Sequence, residues 1–286
     1  MTTKTKQDVR AIVLTSTMRR HQFVANTLAT QLDVVGVWQE QKSFEPMKYA
    51  ASAEDEVVIA GHFTARDEAE DNYFADHDVV RAPARRLPPR GCNDPAEIEA
   101  MRRLAPDVVL VFGTSLLSQS LIDAFAGNVI NIHLGLSPYY RGAGTNFWPL
   151  VNREPEYCGA TIHFLDAGVD SGPILAHVRP DIAAGDGPHD IGNKTIVAAV
   201  DALASVASAH VTLPLRGLSQ EGGGRLYKRA DFSADAVRRL YANFETGMID
   251  EYLRDRVRRD AALALVTLGA QARSASPAEE KEVPSR

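Results

Sequence analysis

Asn131 and His133 stand two positions apart in a short apolar run, 129–133, and are the residue pair in this sequence best suited to do chemistry together. On a strand, residues two apart project from one face, so the carboxamide and the imidazole converge while Ile130 and Ile132 point the other way. At the carboxyl end of a strand in a parallel sheet, both groups would look into the crevice where such folds bind ligands. A carboxamide N–H can donate to an oxygen that gains negative charge, and an imidazole can carry a proton near neutral pH. That combination suits acyl chemistry. A third member is expected from the loop 166–173, where two glycines permit a tight backbone path and Asp170 can orient and polarise His133.

Asn131-Ile132-His133, the segment Ser137-Pro138-Tyr139-Tyr140-Arg141-Gly142, Gly159-Ala160-Thr161-Ile162 and Gly168-Val169-Asp170-Ser171-Gly172 together resemble the 10-formyltetrahydrofolate-dependent formyltransferases. The resemblance is good over 105–178 and extends to the flanks in element order. It implies a catalytic triad of Asn131, His133 and Asp170. It also implies that the pterin of the co-substrate 10-formyltetrahydrofolate lies against Phe112, Gly113, Leu116 and Leu117 and against Asp166, Gly168 and Val169. Tyr140, Arg141 and Asn146 are then the residues expected to meet the amine acceptor. The implied reaction is attack of an amine on the formyl carbon. Asn131 donates to the oxyanion, an interaction worth about 3 kcal/mol in acyl transfer. His133 passes a proton towards N10 while Asp170 holds the histidine and a water, and no metal is required. The chain departs from the family pattern at Leu134-Gly135, where Pro-Ser usually follows the histidine, and at Ser137, where an apolar residue is common.

The elements that must position these residues alternate between strand and helix. A β-branched run at 9–14, with Thr15, Ser16 and Thr17 as candidate caps, leads to a helical stripe of Phe23, Val24, Leu28 and Leu32, and then to a strand at 34–38. Four arginines and three prolines in 81–91 predict an exposed connection. Asp94, Pro95 and Glu97 predict a capped helix through Leu104, followed by a strand at 108–112. Ser118 is placed to cap a helix before the strand 129–133, and strands follow at 160–165 and 174–178. A helical pattern from Ile191 to near Leu213 closes this part. The expected fold is α/β: a mainly parallel, twisted, Rossmann-like sheet with helices on both faces, as a catalytic domain over 1–215. Residues 216–286 read as a helical extension, charge-rich over 235–268 with Leu240, Phe244, Met248 and Leu253 on one face, and a disordered tail at 274–286.

Composition bounds the partners. Of 286 residues, 31 are Lys or Arg and 37 Asp or Glu, a net charge of −6 that disfavours nucleic-acid binding. Only two cysteines occur, without CxxC spacing, and no apolar run approaches the roughly 20 residues that cross a bilayer, so a cytoplasmic chain without a membrane partner is expected. The arginines near the carboxyl end alternate with acids and read as a solvated helix face or a homodimer contact rather than an RNA surface. His163 reads as a structural strand histidine, Phe147 and Leu150 as the buried face of a short helix, and His21 as a group that could meet an acceptor phosphate at a helix N-terminus. The extension does not read as the β-barrel domain of the methionyl-tRNA enzymes, so the expected acceptor is a small-molecule amine, first a nucleotide-linked amino sugar. An amino-acid or peptide-like intermediate, and hydrolysis of formyltetrahydrofolate, are the alternatives. A binding module with an idle pocket is disfavoured by the intact triad.

Overall fold

The computed structural model describes residues 5–42, 45–166, 168–220 and 222–268. The expected disordered tail at 274–286 lies outside the described residues. The first apolar run forms β1 (Arg10–Ser16), followed by α1 (Arg19–Gln31) and β2 (Asp33–Glu40). None of the three hydroxyl residues caps α1, which starts after Met18 without a side-chain cap.

A helix the sequence patterns did not indicate follows, α2 (Ala53–Tyr73). Its start is marked in the sequence: the Ser52 side chain accepts from the Asp55 N–H, and Glu54, Asp55 and Glu56 occupy the first turn. Its apolar stripe is weak because the buried positions are Ile59, His62 and Glu70. The arginine- and proline-rich stretch expected to be a loop holds β3 (Ala84–Leu87), an edge strand parallel to β2. Edge strands tolerate charge and flanking proline, and here Pro83, Pro88 and Pro89 bracket the strand without interrupting it.

Then come α3 (Pro95–Arg103), β4 (Val108–Val111), α4 (Gln119–Ala124), β5 (Val129–His133), β6 (Tyr140–Gly142), α5 (Phe147–Val151), β7 (Ala160–Phe164), β8 (Ile174–Val178) and α6 (Pro188–Thr212). Asp94 caps α3 through the Ala96 N–H at 2.8 Å. The predicted reciprocal bond from Glu97 does not form, because that carboxylate accepts from Trp38 Nε1 at 2.6 Å and Arg85 at 2.9 Å. Ser118 caps α4 as expected.

Seven strands make one sheet in the order β3-β2-β1-β4-β5-β7-β8. The first five are parallel, and β7 and β8 are added antiparallel. Alternation along β1 sends Ala11 and Val13 into a core with α1 and α6, and Ile12 and Leu14 into a second core with α3 and α4, so helices cover both faces. Each fully buried Leu or Ile stabilises this arrangement by about 1.5–3 kcal/mol. By length and mean hydropathy α6 is apolar enough to cross a membrane, although Asp190, Lys194 and Asp201 interrupt it and no uninterrupted apolar run in it approaches roughly 20 residues. It packs along β5, β7 and β8, with Ile196, Val200, Leu203 and Ala207 in the core.

Beyond Leu215, β9 (Arg225–Tyr227) pairs with β6 in a small parallel ribbon. α7 (Ala234–Glu245) packs on α2 and α5, and is followed by α8 (Met248–Arg254) and α9 (Arg256–Ala261). The helical region expected to reach residue 268 gives way after Ala262 to an extended segment. It lies along β8, where the His177 N–H donates to the Val266 carbonyl at 2.8 Å.

Candidate active site

β5 ends against a cavity of about 700 Å³ that Asn131, His133 and Asp170 line together. Asn131 and His133 project from the face of β5 opposite Ile130 and Ile132, which are in the core. Asp170 arrives from the β7–β8 loop, and its Oδ2 is 3.2 Å from His133 Nδ1. Its backbone is left-handed, φ 51°, a conformation that Asp tolerates better than most residues. Gly172 is required beside it, because a Cβ there would overlap the Phe164 carbonyl. Gln220 clamps the loop from outside the sheet: its Nε2 donates to the carbonyls of Asp170 and Gly172, each at 2.8 Å. Burial alone would raise the Asp170 carboxyl, but the hydrogen bond to His133 and the neighbouring histidine charges hold it below the usual carboxylate range. The Nε2 of His133 is buried and has no partner among the described residues.

His163, expected to be structural, touches the triad. The antiparallel register of β7 sets it directly opposite Asn131. Its Nδ1 donates to its neighbour's carbonyl, Phe164 O, at 2.7 Å, so its Nε2 is an acceptor and takes an N–H from Asn131 Nδ2 at 3.0 Å. Burial, and then the charge of His133, push the His163 imidazole towards its neutral form, consistent with that tautomer. The Asn131 carboxamide is thereby oriented and retains a second N–H to give. The unusual Gly135 also has a geometric reason: a Cβ there would come within 2.6 Å of Thr145 Oγ1 and 2.8 Å of His133 Nε2.

The residues expected to hold a pterin line the same cavity. Phe112, Gly113, Leu116 and Leu117 form one wall after β4, and Asp166, Gly168 and Val169 lie in the loop across from it. Glu40, buried at the end of β2, fixes the first wall by accepting from the Ser115 N–H at 2.8 Å, Ser115 Oγ at 2.6 Å and the Cys92 N–H at 3.0 Å. Asp166 braces the second by accepting from the Gly168 N–H at 3.0 Å and Ser171 Oγ at 2.8 Å. Leu116 and Val169 are 67% and 63% exposed, which leaves apolar surface on both sides for a flat ring.

The expected acceptor residues divide. Asn146 lines the cavity; its Oδ1 accepts from the Gly159 N–H at 2.9 Å, and its buried Nδ2 has no partner among the described residues. Tyr140 does not line it: the ring is buried against Tyr227, and its hydroxyl donates to Glu154 and accepts from Asn152 and Arg225. Arg141 also lies off the cavity lining. Phe147, expected in the core, contributes to the wall, whereas Leu150 is buried as expected. Four cationic side chains that sequence reasoning did not place there, Arg20, Lys42, Arg66 and Arg229, line the cavity beside His21. They come from four separate segments, so no local spacing announces them.

Comparison with known proteins agrees with this geometry. A family model described as formyl transferase matches residues 3–207. The chain is 39% identical over 127 residues to a methionyl-tRNA formyltransferase of Geobacter sulfurreducens, covering 41% of this chain and 39% of that protein. It is 45% identical over 89 residues to the Thermosynechococcus vestitus enzyme of the same name, covering 31% of this chain and 27% of that one. These matches thus span well under half the length of the curated relatives. Among solved structures, a phosphoribosylglycinamide formyltransferase from Anaplasma phagocytophilum superposes with a TM-score of 0.51 at 16% identity, covering 78% of this chain and 100% of that one. A 4-N formyltransferase from Francisella tularensis gives 0.50 at 16% identity, covering 78% and 77%. At that identity the structural likeness speaks for the fold alone, whereas the match over residues 3–207 takes in the whole Asn131, His133 and Asp170 constellation, and the chain belongs to the formyl transferase family.

Proposed function

We propose that this chain transfers a formyl group from 10-formyltetrahydrofolate to the amine of a small molecule. The observation that carries the reading is the unpartnered, buried Nε2 of His133, set between the Asp170 carboxylate and a cavity that the Asn131 carboxamide also faces. The residues fit a reduced folate: two apolar walls flank a cavity of about 700 Å³, and the orphaned His133 nitrogen needs a partner there. When bound, the folate supplies an activated formyl carbon and, at N10, the leaving nitrogen. Asn131 gives its second N–H to the formyl oxygen as negative charge develops there. Asp170 holds His133 Nδ1, which leaves Nε2 to take the proton from the attacking amine and deliver it towards N10 as the carbon–N10 bond breaks.

A nucleotide-linked amino sugar is the acceptor we favour; an amino-acid or peptide-like amine is the next choice. The test is tetrahydrofolate formation from 10-formyltetrahydrofolate across a panel of amino sugars, amino acids, their phosphorylated and nucleotide-linked forms, and methionyl-tRNA. Strict dependence on one amine class is expected. Rapid release without any amine would mark a hydrolase, and response to methionyl-tRNA alone would overturn the small-molecule acceptor.

A further inference from the structure

The cavity is electrically two-sided. Asp166 and Asp170 lie at the triad side, while Arg20 from α1, Lys42 from the segment after β2, Arg66 from α2 and Arg229 from the segment after β9 line it beyond Gly113. The Lys42 ammonium sits over the Gly113 backbone, 3.3 Å from where a Cβ would be, next to the His21 ring. Arg20 and Arg66 share a single buried carboxylate, Glu70, and the other partner of Arg66, Asp67, is 61% exposed. Glu40, the nearest acid to Lys42 along the chain, attracts its ammonium but makes no ion pair with it, its oxygens being hydrogen-bonded to Ser115 and Cys92. Lys42 and Arg229 have no ion pair among the described residues. His21, 1% exposed, also lines this end, and its Nδ1 has no partner among the described residues.

Resting on the formyl-transfer reading, we propose that this end of the cavity is a phosphate-class subsite, in which Arg20, Lys42, Arg66 and Arg229 hold the phosphoryl or diphosphoryl group of the acceptor amine. Four cationic heads from four segments suit a group with several oxyanions; a lone carboxylate offers one charge and two oxygens. Burial, and after it the repulsion from Arg20 and Arg229, already pushes the Lys42 ammonium down to about 8, a penalty that a bound polyanion would relieve. Neutral His21 fits the same site as a hydrogen-bonding wall, since burial followed by the charges of Arg20, Lys42 and Arg66 keeps it unprotonated.

The experiment is calorimetric titration of the full chain with inorganic pyrophosphate, with succinate in parallel and no folate present. Saturable 1:1 binding of pyrophosphate is expected, weakened about tenfold or more in Lys42→Ala/Arg229→Ala, the loss that goes with charge-assisted hydrogen bonds. Both residues are exposed, so truncation there leaves the core intact, and Lys42→Arg, which keeps the charge, is expected to retain binding. No binding to the wild type, equal binding by the double variant, or succinate binding as tight as pyrophosphate would each overturn the subsite. Because no turnover is involved, any of these leaves formyl transfer standing, and failure of amine-dependent turnover leaves the pyrophosphate result intact.

Discussion

At the scale of single residues, the role proposed for each of Asn131, His133 and Asp170 follows from what it touches. Asn131 is held by His163 through one N–H and offers the other to the cavity, so Asn131→Ala is expected to lower kcat by about 10²–10³ with folate affinity unchanged, the loss typical of an oxyanion donor. Kinetics with direct folate-binding measurements check this, and a variant that loses binding instead would assign Asn131 to the ground state. Tyr140 provides the contrasting case. Its hydroxyl is consumed by Glu154, Asn152 and Arg225, so Tyr140→Phe is expected to destabilise the chain by about 1–3 kcal/mol and to leave the acceptor KM alone. A raised KM with unchanged Tm would return Tyr140 to the acceptor site. That Asn131, His133 and Asp170 meet at one cavity was legible in the sequence because Asn131 and His133 obey the two-residue period of a strand and Asp170 sits in a recognisable loop. His163 was not, because its partner is set by the register of β7, which returns to β5 only after β6 and α5, and no local spacing encodes that register.

Among the elements, the strands announced themselves by apolar runs and most helices by caps. α2 was missed since histidine and glutamate occupy its buried face. That face makes a testable junction. His62 on α2 and His189 on α6 both lie within hydrogen-bond reach of the Tyr241 hydroxyl on α7, at 3.2 and 3.3 Å. Burial first, and then the charges of His189 and Arg66 acting on His62 and of Arg66 acting on His189, push the two imidazoles down to about 3 and about 4. An imidazole in the unfolded chain titrates near about 6.5, so as pH falls the unfolded state binds protons first. Their contribution to stability is therefore full above about pH 6.5 and is lost as pH falls from there to about 4 for His189 and about 3 for His62. Thermal melts of the wild type are expected to decline over this window, and His62→Gln to flatten the decline. An unaltered slope would show that this junction does not carry the acid sensitivity.

For the whole molecule, the residues beyond Leu215 are joined to the site they follow. Gln220 holds the Asp170 loop, Arg229 lines the cavity and β9 pairs with β6. Their helical character was readable from periodicity and charge, but their approach to the Asp170 loop depends on tertiary packing. Gln220→Ala is expected to lower kcat more than folate affinity, because the carbonyls it holds are those of Asp170 and Gly172, while the Asp166 and Gly168 end of the same loop keeps its bonds to the Asp166 carboxylate; equal activity would mean the loop holds its own shape. The account as a whole rests on His133 as the proton carrier for formyl transfer. The most direct test is to measure, in one preparation of His133→Ala, both 10-formyltetrahydrofolate binding and amine-dependent tetrahydrofolate release. Retained binding with turnover reduced by about 10² or more is predicted. Turnover equal to the wild type would contradict the central claim.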